Sequence, residues 1–328
     1  GLNELTMEQL RLQFRNEPET PFFLYIATQS PHEPLVAPQA LIDKYRSTYN
    51  RPLEDLWRQR VSRLRTLGLF PSDAPTQMPQ FTRADRKAVR ASAATRAAMI
   101  EWTDTEFGRL LQFLEQSGKL DNTLIIVASD NGASSPTSKL TNAPYRGAKA
   151  LLNEGGTLSP LVARWPAGNL RVNDMTDSMT TYLDLLPTFL HVAGVSYPAL
   201  WRDTPLRSLE GRNLLPLLRG ESLPPPENFF WSLYGRFAVL HRGRWKLFGN
   251  STYDEKRERR QAEPTLALFD LSSDPAETKN LAGKEKQMAA ALLESYGVWA
   301  QLHGAVPYYQ VLDAYRKSGA IKATGPQD

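Results

Sequence analysis

The chain has 328 residues, with 39 lysines and arginines against 35 aspartates and glutamates, and no cysteine. That length allows one large domain or two ordinary ones, while the lack of cysteine excludes disulfides, zinc ribbons, iron–sulfur clusters and thiol nucleophiles. The apolar runs are too short to cross a bilayer, and the basic stretches lack the interleaved aromatics of a nucleic-acid platform. We therefore expect no membrane span and no nucleic-acid partner, and the composition leaves the compartment open.

Helical and strand patterns alternate along the first two-thirds of the chain. An aromatic, β-prone run at residues 21–27 predicts a buried strand, which ends at the prolines that follow. The helix, short turn and apolar strand at 82–129 indicate an α/β sheet covered on both faces. The predicted elements of this part are helices at 40–49, 53–67, 82–117 and 180–193, and strands at 21–27, 122–129 and 158–165.

The pattern changes at the three consecutive prolines 224–226. Short apolar runs after them predict antiparallel strands at 229–234, 237–241, 245–248 and 266–270, followed by a closing helix at 287–303. The sequence therefore predicts two domains: an α/β domain over residues 1–226 and a smaller α+β domain over residues 227–328.

Asp130, Asn131 and Gly132 directly follow the apolar strand predicted at 122–129. Open α/β sheets bind their ligands at the carboxyl ends of strands, and two adjacent hard oxygens suit Ca²⁺ or Mg²⁺ better than a softer metal. The same three residue types also favour turns, so an ordinary turn is the alternative interpretation.

Two further residues could act on an anionic substrate. His32 lies in a proline-bounded loop, where it could donate a proton to a leaving oxygen, or serve only as a structural hydrogen-bonding group. Lys149 follows Arg146-Gly147-Ala148 and precedes Glu154-Gly155-Gly156, and glycines let backbone and ammonium approach an oxyanion closely. The P-loop spacing is missing, and a surface loop is the alternative for Lys149.

The order of these segments carries more information than any one of them. It resembles the sulfatase family, and the long section at 44–118 looks most like the bacterial arylsulfatase and alkylsulfatase branch. The resemblance rests on PFFLYIATQSPHEP (21–34), LDNTLIIVASDNG (120–132), RGAKALLNEGG (146–156), RWP (164–166), DLLPT (184–188), WKL (245–247), LFDL (268–271), DPAE (274–277) and NL (280–281).

The resemblance implies an alkaline-phosphatase-like mixed sheet flanked by helices, with a smaller C-terminal domain of antiparallel strands and a helix. It implies hydrolysis of a small-molecule sulfate ester with one bound Ca²⁺, Mg²⁺ being the less favoured ion. Asp130 and Asn131 match two calcium ligands. His32 and Lys149 match the catalytic residues that contact the sulfate, and Glu154 is expected to give structural support.

The chain also departs from the family. The family nucleophile is a formylglycine made from Cys or Ser in a C/S-x-P-x-R motif, and the nearest candidate, at 134–138, ends in Ser138 where Arg is required. The N-terminal Asp-Asp calcium ligands are missing too. We therefore expect roughly the first two-fifths of a sulfatase, formylglycine included, to be absent, judged against ordinary domain sizes. Ala148 and Ala150 stand where Gly is common.

Three hypotheses follow. The first is the C-terminal part of a sulfatase, inactive alone, for which the missing N-terminal part would be a partner. The second is a short non-catalytic family member that binds a partner or an anion. The third keeps the fold and changes the ester to a phosphate or phosphonate, because the same metal and lysine would serve either oxyanion.

Overall fold

The computed structural model describes residues 2–134, 138–233, 235–249, 253–254, 259–260, 265–306 and 308–318. Its helices are α1 (Leu2–Asn16), α2 (Gln39–Tyr49), α3 (Leu53–Thr66), α4 (Arg83–Gln116), α5 (Ser138–Thr141), α6 (Glu154–Thr157), α7 (Leu185–Val192), α8 (Leu215–Leu218), α9 (Lys286–Leu302) and α10 (Tyr308–Lys317). Its strands are β1 (Ile125–Ala128), β2 (Leu161–Arg164), β3 (Leu200–Trp201), β4 (Thr204–Pro205), β5 (Asn228–Leu233), β6 (Arg236–His241), β7 (Trp245–Gly249), β8 (Tyr253–Asp254), β9 (Arg259–Arg260) and β10 (Leu266–Asp270).

The long helices were predictable from their apolar spacing and their ends. α4 begins where Thr82 caps it: the Thr82 hydroxyl accepts the Asp85 N–H, and the Asp85 carboxylate accepts the Thr82 N–H. The predictions of α2, α3, α4 and α9 are confirmed, whereas α1 and α10 were not predicted. Among the described helices, none combines the length and apolar character that crossing a membrane requires.

The chain forms two compact units whose segments alternate along the sequence. The first unit contains residues 1–58, 80–129 and 160–223, and the second contains residues 59–79, 130–159 and 224–328. The division into domains at residues 226 and 227 stays a prediction.

The first unit is organised around α4. Its C-terminal half packs against α1 through Leu10, Leu110, Phe113 and Leu114, which are all buried. Ile125, at the start of β1, packs on the same cluster. The helix therefore connects the first turns of the chain to the strand that precedes Asp130.

The predicted strand at 21–27 is wrong. Phe22 and Ile26 pack on the cluster of the first unit, whereas Phe23, Leu24 and Tyr25 are 73%, 36% and 79% exposed. However, no strand is assigned there, and among the described residues β1 pairs with β2 alone. An apolar alternation decides which side chains are buried, but a strand also needs a neighbour for its backbone hydrogen bonds.

β1 and β2 form an antiparallel pair in which Val127 lies opposite Val162. Both strands are shorter than predicted, and these two valines are 46% and 63% exposed. The covering of both faces that the element order predicts is therefore not observed for this pair within the described residues.

The second unit contains a four-stranded antiparallel sheet in the order β10-β7-β6-β5. On one face, Val239, Leu247 and Leu268 pack against Ala289 and Leu292 of α9. This confirms the antiparallel strands and closing helix predicted for the C-terminal region, within two residues at each strand end.

The opposite face of this sheet is buried as well. Trp245 and Leu247 on β7 both face α9. Because side chains alternate along a strand, Lys246 between them points to the opposite face. Its neighbours across the strands are Leu240 on β6 and Phe269 on β10, and all three side chains are excluded from solvent. A lysine at the centre of a covered sheet requires a counter-charge.

Candidate active-site half in two loops

The Asp130–Asn131 pair lies in a loop of the second unit. The Asp130 carboxylate accepts the Asn131 backbone N–H at 2.8 Å through Oδ1, and the Asn131 side-chain amide donates to the Gly132 carbonyl at 3.0 Å. These are local turn bonds, as the alternative interpretation of this motif supposed. Asp130 is nevertheless exposed, so its carboxylate remains accessible to a ligand.

The same loop is hydrogen-bonded to the segment that carries Lys149. The Lys149 N–H donates to the Ala133 carbonyl at 3.1 Å, and the Gly132 N–H donates to the Gly156 carbonyl at 3.1 Å. The structure therefore brings together three of the residues predicted for the site, Asp130, Asn131 and Lys149, in one backbone network.

Asn142 is the side chain that joins these two loops, and sequence reasoning missed it. Its side chain is buried, accepts the Ala133 N–H at 2.8 Å, and donates to the carbonyls of Ala133 and Gly147 at 3.0 Å each. Because one amide bonds three partly buried backbone groups, its loss would leave the Ala133 N–H and the Gly147 carbonyl without this partner. No motif in the sequence singles it out.

Two glycines allow the loops to approach this closely. A Cβ on Gly132 would lie 1.7 Å from the Gly155 carbonyl oxygen, and one on Gly156 would lie 2.1 Å from the Leu151 oxygen. Since those obstacles are backbone atoms, no rotamer change could relieve the clash. The glycines of the two motifs therefore serve close packing of backbone on backbone.

The Lys149 ammonium has no counter-ion among the described residues. Its side chain is partly buried, and among the described residues Nζ makes no hydrogen bond or ion pair. The next residue, Ala150, has φ +67°, a left-handed conformation that favours glycine. Glycine, which is common at this place in the family that the sequence resembles, adopts such a φ without strain. Ala150 is therefore a locally strained residue.

His32 belongs to the first unit, in a loop that is hydrogen-bonded to α4. The Ser30 hydroxyl donates to the Met99 carbonyl at 3.2 Å, and Arg96 donates to the Pro31 carbonyl at 3.1 Å and to the Glu33 carboxylate at 2.6 Å. These bonds on both sides of His32 define the path of an otherwise exposed loop.

The imidazole of His32 is exposed and has one nitrogen engaged. Nδ1 lies 3.0 Å from the Glu33 carbonyl oxygen. Because a carbonyl can only accept, Nδ1 carries the hydrogen, and Nε2 is left to accept a proton or, once protonated, to donate one. The geometry therefore suits proton transfer at Nε2.

The described residues supply only part of a calcium site. Asp130 and Asn131 offer hard oxygens of the type that Ca²⁺ prefers, but the ion takes six to eight of them. Within the described part of the chain, no group of three or more His, Asp or Glu side chains could hold a metal ion. The pair alone does not fit a complete calcium site.

A buried charge cluster, formed by Lys246, Glu154 and Glu277, contacts the segment that carries Lys149. Lys246 Nζ lies 2.6 Å from Glu154 Oε1 and 3.5 Å from Glu277 Oε1, and Lys246 and Glu277 are fully buried. Glu154 is buried too, and its ion pair agrees with the structural support expected of it. Sequence reasoning missed Lys246 and Glu277 as partners, although both stand in segments that carry the family resemblance.

One ammonium faces two carboxylates in this cluster. Burial, together with the nearby charge of Glu154, raises the pKa of Glu277, and the positive charge of Lys246 opposes that rise. Burial and the charge of Glu154 also raise the pKa of Tyr145 to about 12. A buried carboxylate with incomplete pairing holds its proton to higher pH than an exposed one.

We predict that Glu277→Gln changes the pH dependence of stability. Because the folded-state pKa of Glu277 lies above its ordinary value of 4.5, its contribution is full below that pH and is lost as the pH rises through the folded pKa. The glutamine variant should therefore gain free energy of unfolding relative to wild type as the pH rises, measured by urea unfolding at a series of pH values. The exposed Glu294→Gln is the control. A difference in free energy of unfolding between Glu277→Gln and wild type that does not change with pH would contradict the prediction.

Comparison with known proteins identifies the family. Residues 2–195 match the family model Sulfatase, and residues 148–296 match N-sulphoglucosamine sulphohydrolase, C-terminal. An uncharacterized sulfatase of Schizosaccharomyces pombe is 26% identical over 355 residues, covering 91% of this chain and 61% of the relative. Arylsulfatase A of Homo sapiens is 29% identical over 280 residues, covering 77% and 52%. The chain thus spans about half to three-fifths of the length of these curated relatives.

Solved structures share the fold. Ps i-CgsB has a TM-score of 0.64 at 20% identity, and the match covers 98% of this chain and 59% of the Ps i-CgsB chain. The phosphonate monoester hydrolase SpPMH from Silicibacter pomeroyi has a TM-score of 0.57 at 19% identity and covers 93% and 60%. The predicted α/β fold of the alkaline-phosphatase type, with its C-terminal domain, is confirmed. The family model covers more than half of the chain, and the chain belongs to the sulfatase family.

Proposed function

We propose that this chain supplies the anion-binding and leaving-group residues of a sulfuric ester hydrolase, which cleaves a sulfate ester to an alcohol or phenol and sulfate. The observation that carries the proposal is the Lys149 ammonium, which lacks a counter-ion among the described residues and stands on a loop hydrogen-bonded to Asp130–Ala133. The ammonium is accessible to solvent, so an anion can reach it and accept a charge-assisted hydrogen bond from it.

Lys149 and His32 divide the chemistry between them. Lys149 would bind a sulfate oxygen and stabilise the negative charge that grows as the S–O bond breaks. His32 would donate a proton from Nε2 to the bridging oxygen, so that the alcohol or phenol leaves neutral. Each is a catalytic residue of the proposal on its own surroundings and its match to the family, Lys149 in the second unit and His32 in the first.

Asp130 and Asn131 would contribute two oxygens to a Ca²⁺ ion, which when bound offsets negative charge on the sulfate. Mg²⁺ is the less favoured ion, because it demands a near-octahedral cage and keeps several waters. The described residues offer no cluster of three acidic or histidine side chains, so any further carboxylate ligands of this ion are proposed to come from elsewhere in the protein, and carbonyls or water could fill other positions.

The nucleophile is the part of the reaction that we assign to no residue of this chain. It has no cysteine, and the serine candidate at 134–138 lacks the required arginine; its residues 135–137 lie outside the described residues. We propose that formylglycine belongs to a further N-terminal part of the protein, which would be the partner of this chain.

Two alternatives remain for the experiments to separate. A non-catalytic family member would bind an anion or a partner through the same lysine. A phosphate or phosphonate ester hydrolase would use the same charges, and the fold is shared with a phosphonate monoester hydrolase. Family membership favours sulfate.

Inorganic sulfate binding tests the assignment of Lys149. Lys149→Met should weaken sulfate binding by about 10- to 100-fold, as expected for loss of a charge-assisted hydrogen bond. Binding is measured by isothermal titration, with inorganic phosphate titrated in parallel to separate the two ester classes. The exposed Lys284→Met has the same charge change, so equal weakening in both variants would contradict a specific role for Lys149.

The isolated chain should not turn over aryl sulfates. Without an activatable nucleophile, bound water has no covalent intermediate to hydrolyse. The measurement is release of 4-nitrophenol from 4-nitrophenyl sulfate by the purified chain with added CaCl₂, against a buffer blank. Calcium-dependent release that Lys149→Met abolishes would sink this prediction.

Calcium should bind weakly to the isolated chain. Two protein oxygens leave most of the coordination shell to water, so we expect a Kd above about 10⁻⁴ M, the weak end of protein calcium sites. Calcium titration of wild type and Asp130→Asn measures it. Tight 1:1 binding that the substitution removes would show that the chain itself completes the site.

A further inference from the structure

The buried cluster of Lys246, Glu154 and Glu277 does more than neutralise charge, because it holds both ends of the Lys149 loop. The Glu154 N–H donates to Glu277 Oε2 at 3.0 Å, while the Glu154 side chain binds Lys246. At the other end of the loop, the Arg146 guanidinium donates to the Glu277 carbonyl at 3.3 Å. Lys149 lies between these two points of attachment.

The turn that contains Glu277 is itself held by hydrogen bonds. The buried Asp274 carboxylate accepts the N–H groups of Thr278 and Lys279, each at 2.8 Å. Glu277 has φ +55°, a conformation that costs free energy in a residue other than glycine. The backbone therefore accepts strain at the residue whose carbonyl and carboxylate both contact the loop.

Lys246 completes the arrangement from the sheet. Its Nζ also lies 3.3 Å from the Thr157 hydroxyl, so it contacts both the first and the last residue of α6. A buried ion pair contributes little stability compared with apolar packing of the same volume, but a geometry that separates the partners leaves both charges buried and unpaired and is strongly disfavoured. Lys246 thus defines where α6 lies on the sheet.

The position of α6 reaches the candidate ligands through the backbone. The Gly156 carbonyl of α6 accepts the Gly132 N–H, next to Asn131, and the Gly155 N–H donates to the Arg146 carbonyl at 2.6 Å. A shift of α6 would therefore move the Asp130–Asn131 loop and the Lys149 loop together. The close approach at Gly132 leaves little room for either loop to adapt.

We propose that Lys246, Glu154 and Glu277 are positioning residues, which set the place of Lys149 and Asn131 relative to each other. The role rests on the proposed function, since it concerns residues assigned there to sulfate and calcium. The cluster itself touches no substrate. The cluster would attach the Lys149 loop and the Asp130–Asn131 loop to the C-terminal sheet, so that the two loops keep a fixed arrangement.

Hydrogen exchange of individual backbone amides in the full 328-residue chain tests the proposal without substrate or metal. In Glu154→Gln and Lys246→Met, the amides of Gly132, Lys149 and Gly155 should exchange about tenfold faster than in wild type, after normalisation to the amides of β6 and β7. Glu154→Gln keeps the side-chain shape, so it serves if Lys246→Met fails to fold.

Asp270→Asn is the matched control. It removes the ion pair of Asp270 with Arg244, in which the arginine holds the pKa of Asp270 down at about 2, and it lies on β10 of the same sheet, outside the Lys149 loop and the Asp130–Asn131 loop. The control should lower overall stability and leave the normalised exchange of the three amides unchanged. Equal acceleration in Asp270→Asn and Glu154→Gln, or none in Glu154→Gln, would overturn the positioning role.

A second measurement separates this proposal from the proposed function. Inorganic sulfate should bind Glu154→Gln more weakly than wild type, by about tenfold, although Lys149 is intact. If wild type binds no sulfate while exchange changes as expected, the proposed function fails and the positioning role stands. If wild type and Glu154→Gln bind sulfate equally, the positioning role fails and the assignment of Lys149 stands.

Discussion

The ion pair between Lys246 and Glu154 is the constraint on which the second unit depends. Lys246 lies at the centre of a sheet whose other face is filled by α9, so its ammonium cannot reach water. It must therefore find its counter-charge in the segment that covers this face. Removing one partner of such a pair costs about 3–5 kcal/mol, because the other charge stays buried and unpaired. The position of α6 follows from this requirement.

The charge balance of the cluster explains why Glu277 differs from other carboxylates of the unit. Asp270 has a guanidinium to itself, through two hydrogen bonds, and its pKa falls to about 2. Glu277 shares the ammonium of Lys246 with Glu154, and its Oε1 makes no hydrogen bond within the part of the chain that the structure describes. Asp270 thus stabilises the folded state most when it is ionised, whereas Glu277 destabilises it least when it is protonated. The two have opposite pH dependence within one small domain.

Sequence reasoning succeeded where a local pattern decides the structure. The apolar spacing of α4 predicted its ends within a residue, and the strands of the C-terminal sheet were predicted equally closely. It failed at residues 21–27, where strand formation depends on a neighbour that no local pattern reports. Glu154 was assigned structural support, but its partners lie 92 and 123 positions away along the chain. Such partners are set by the tertiary fold.

The segments that reveal the family are mostly scaffold. Glu154 and Lys246 stand in two of them, and Gly132 and Gly156 allow the backbone contacts between two others. The side chains assigned to chemistry differ from these in their environment: Asp130 and His32 are exposed, and Lys149 is only partly buried. A single substitution of an exposed group leaves the fold intact, whereas removing one partner of a buried ion pair, or adding a Cβ to a glycine at a backbone contact, is strongly destabilising. The segments that carry the resemblance therefore mainly hold the Asp130–Asn131 loop and the Lys149 loop together. The chemistry depends on the ligands that these two loops can bind.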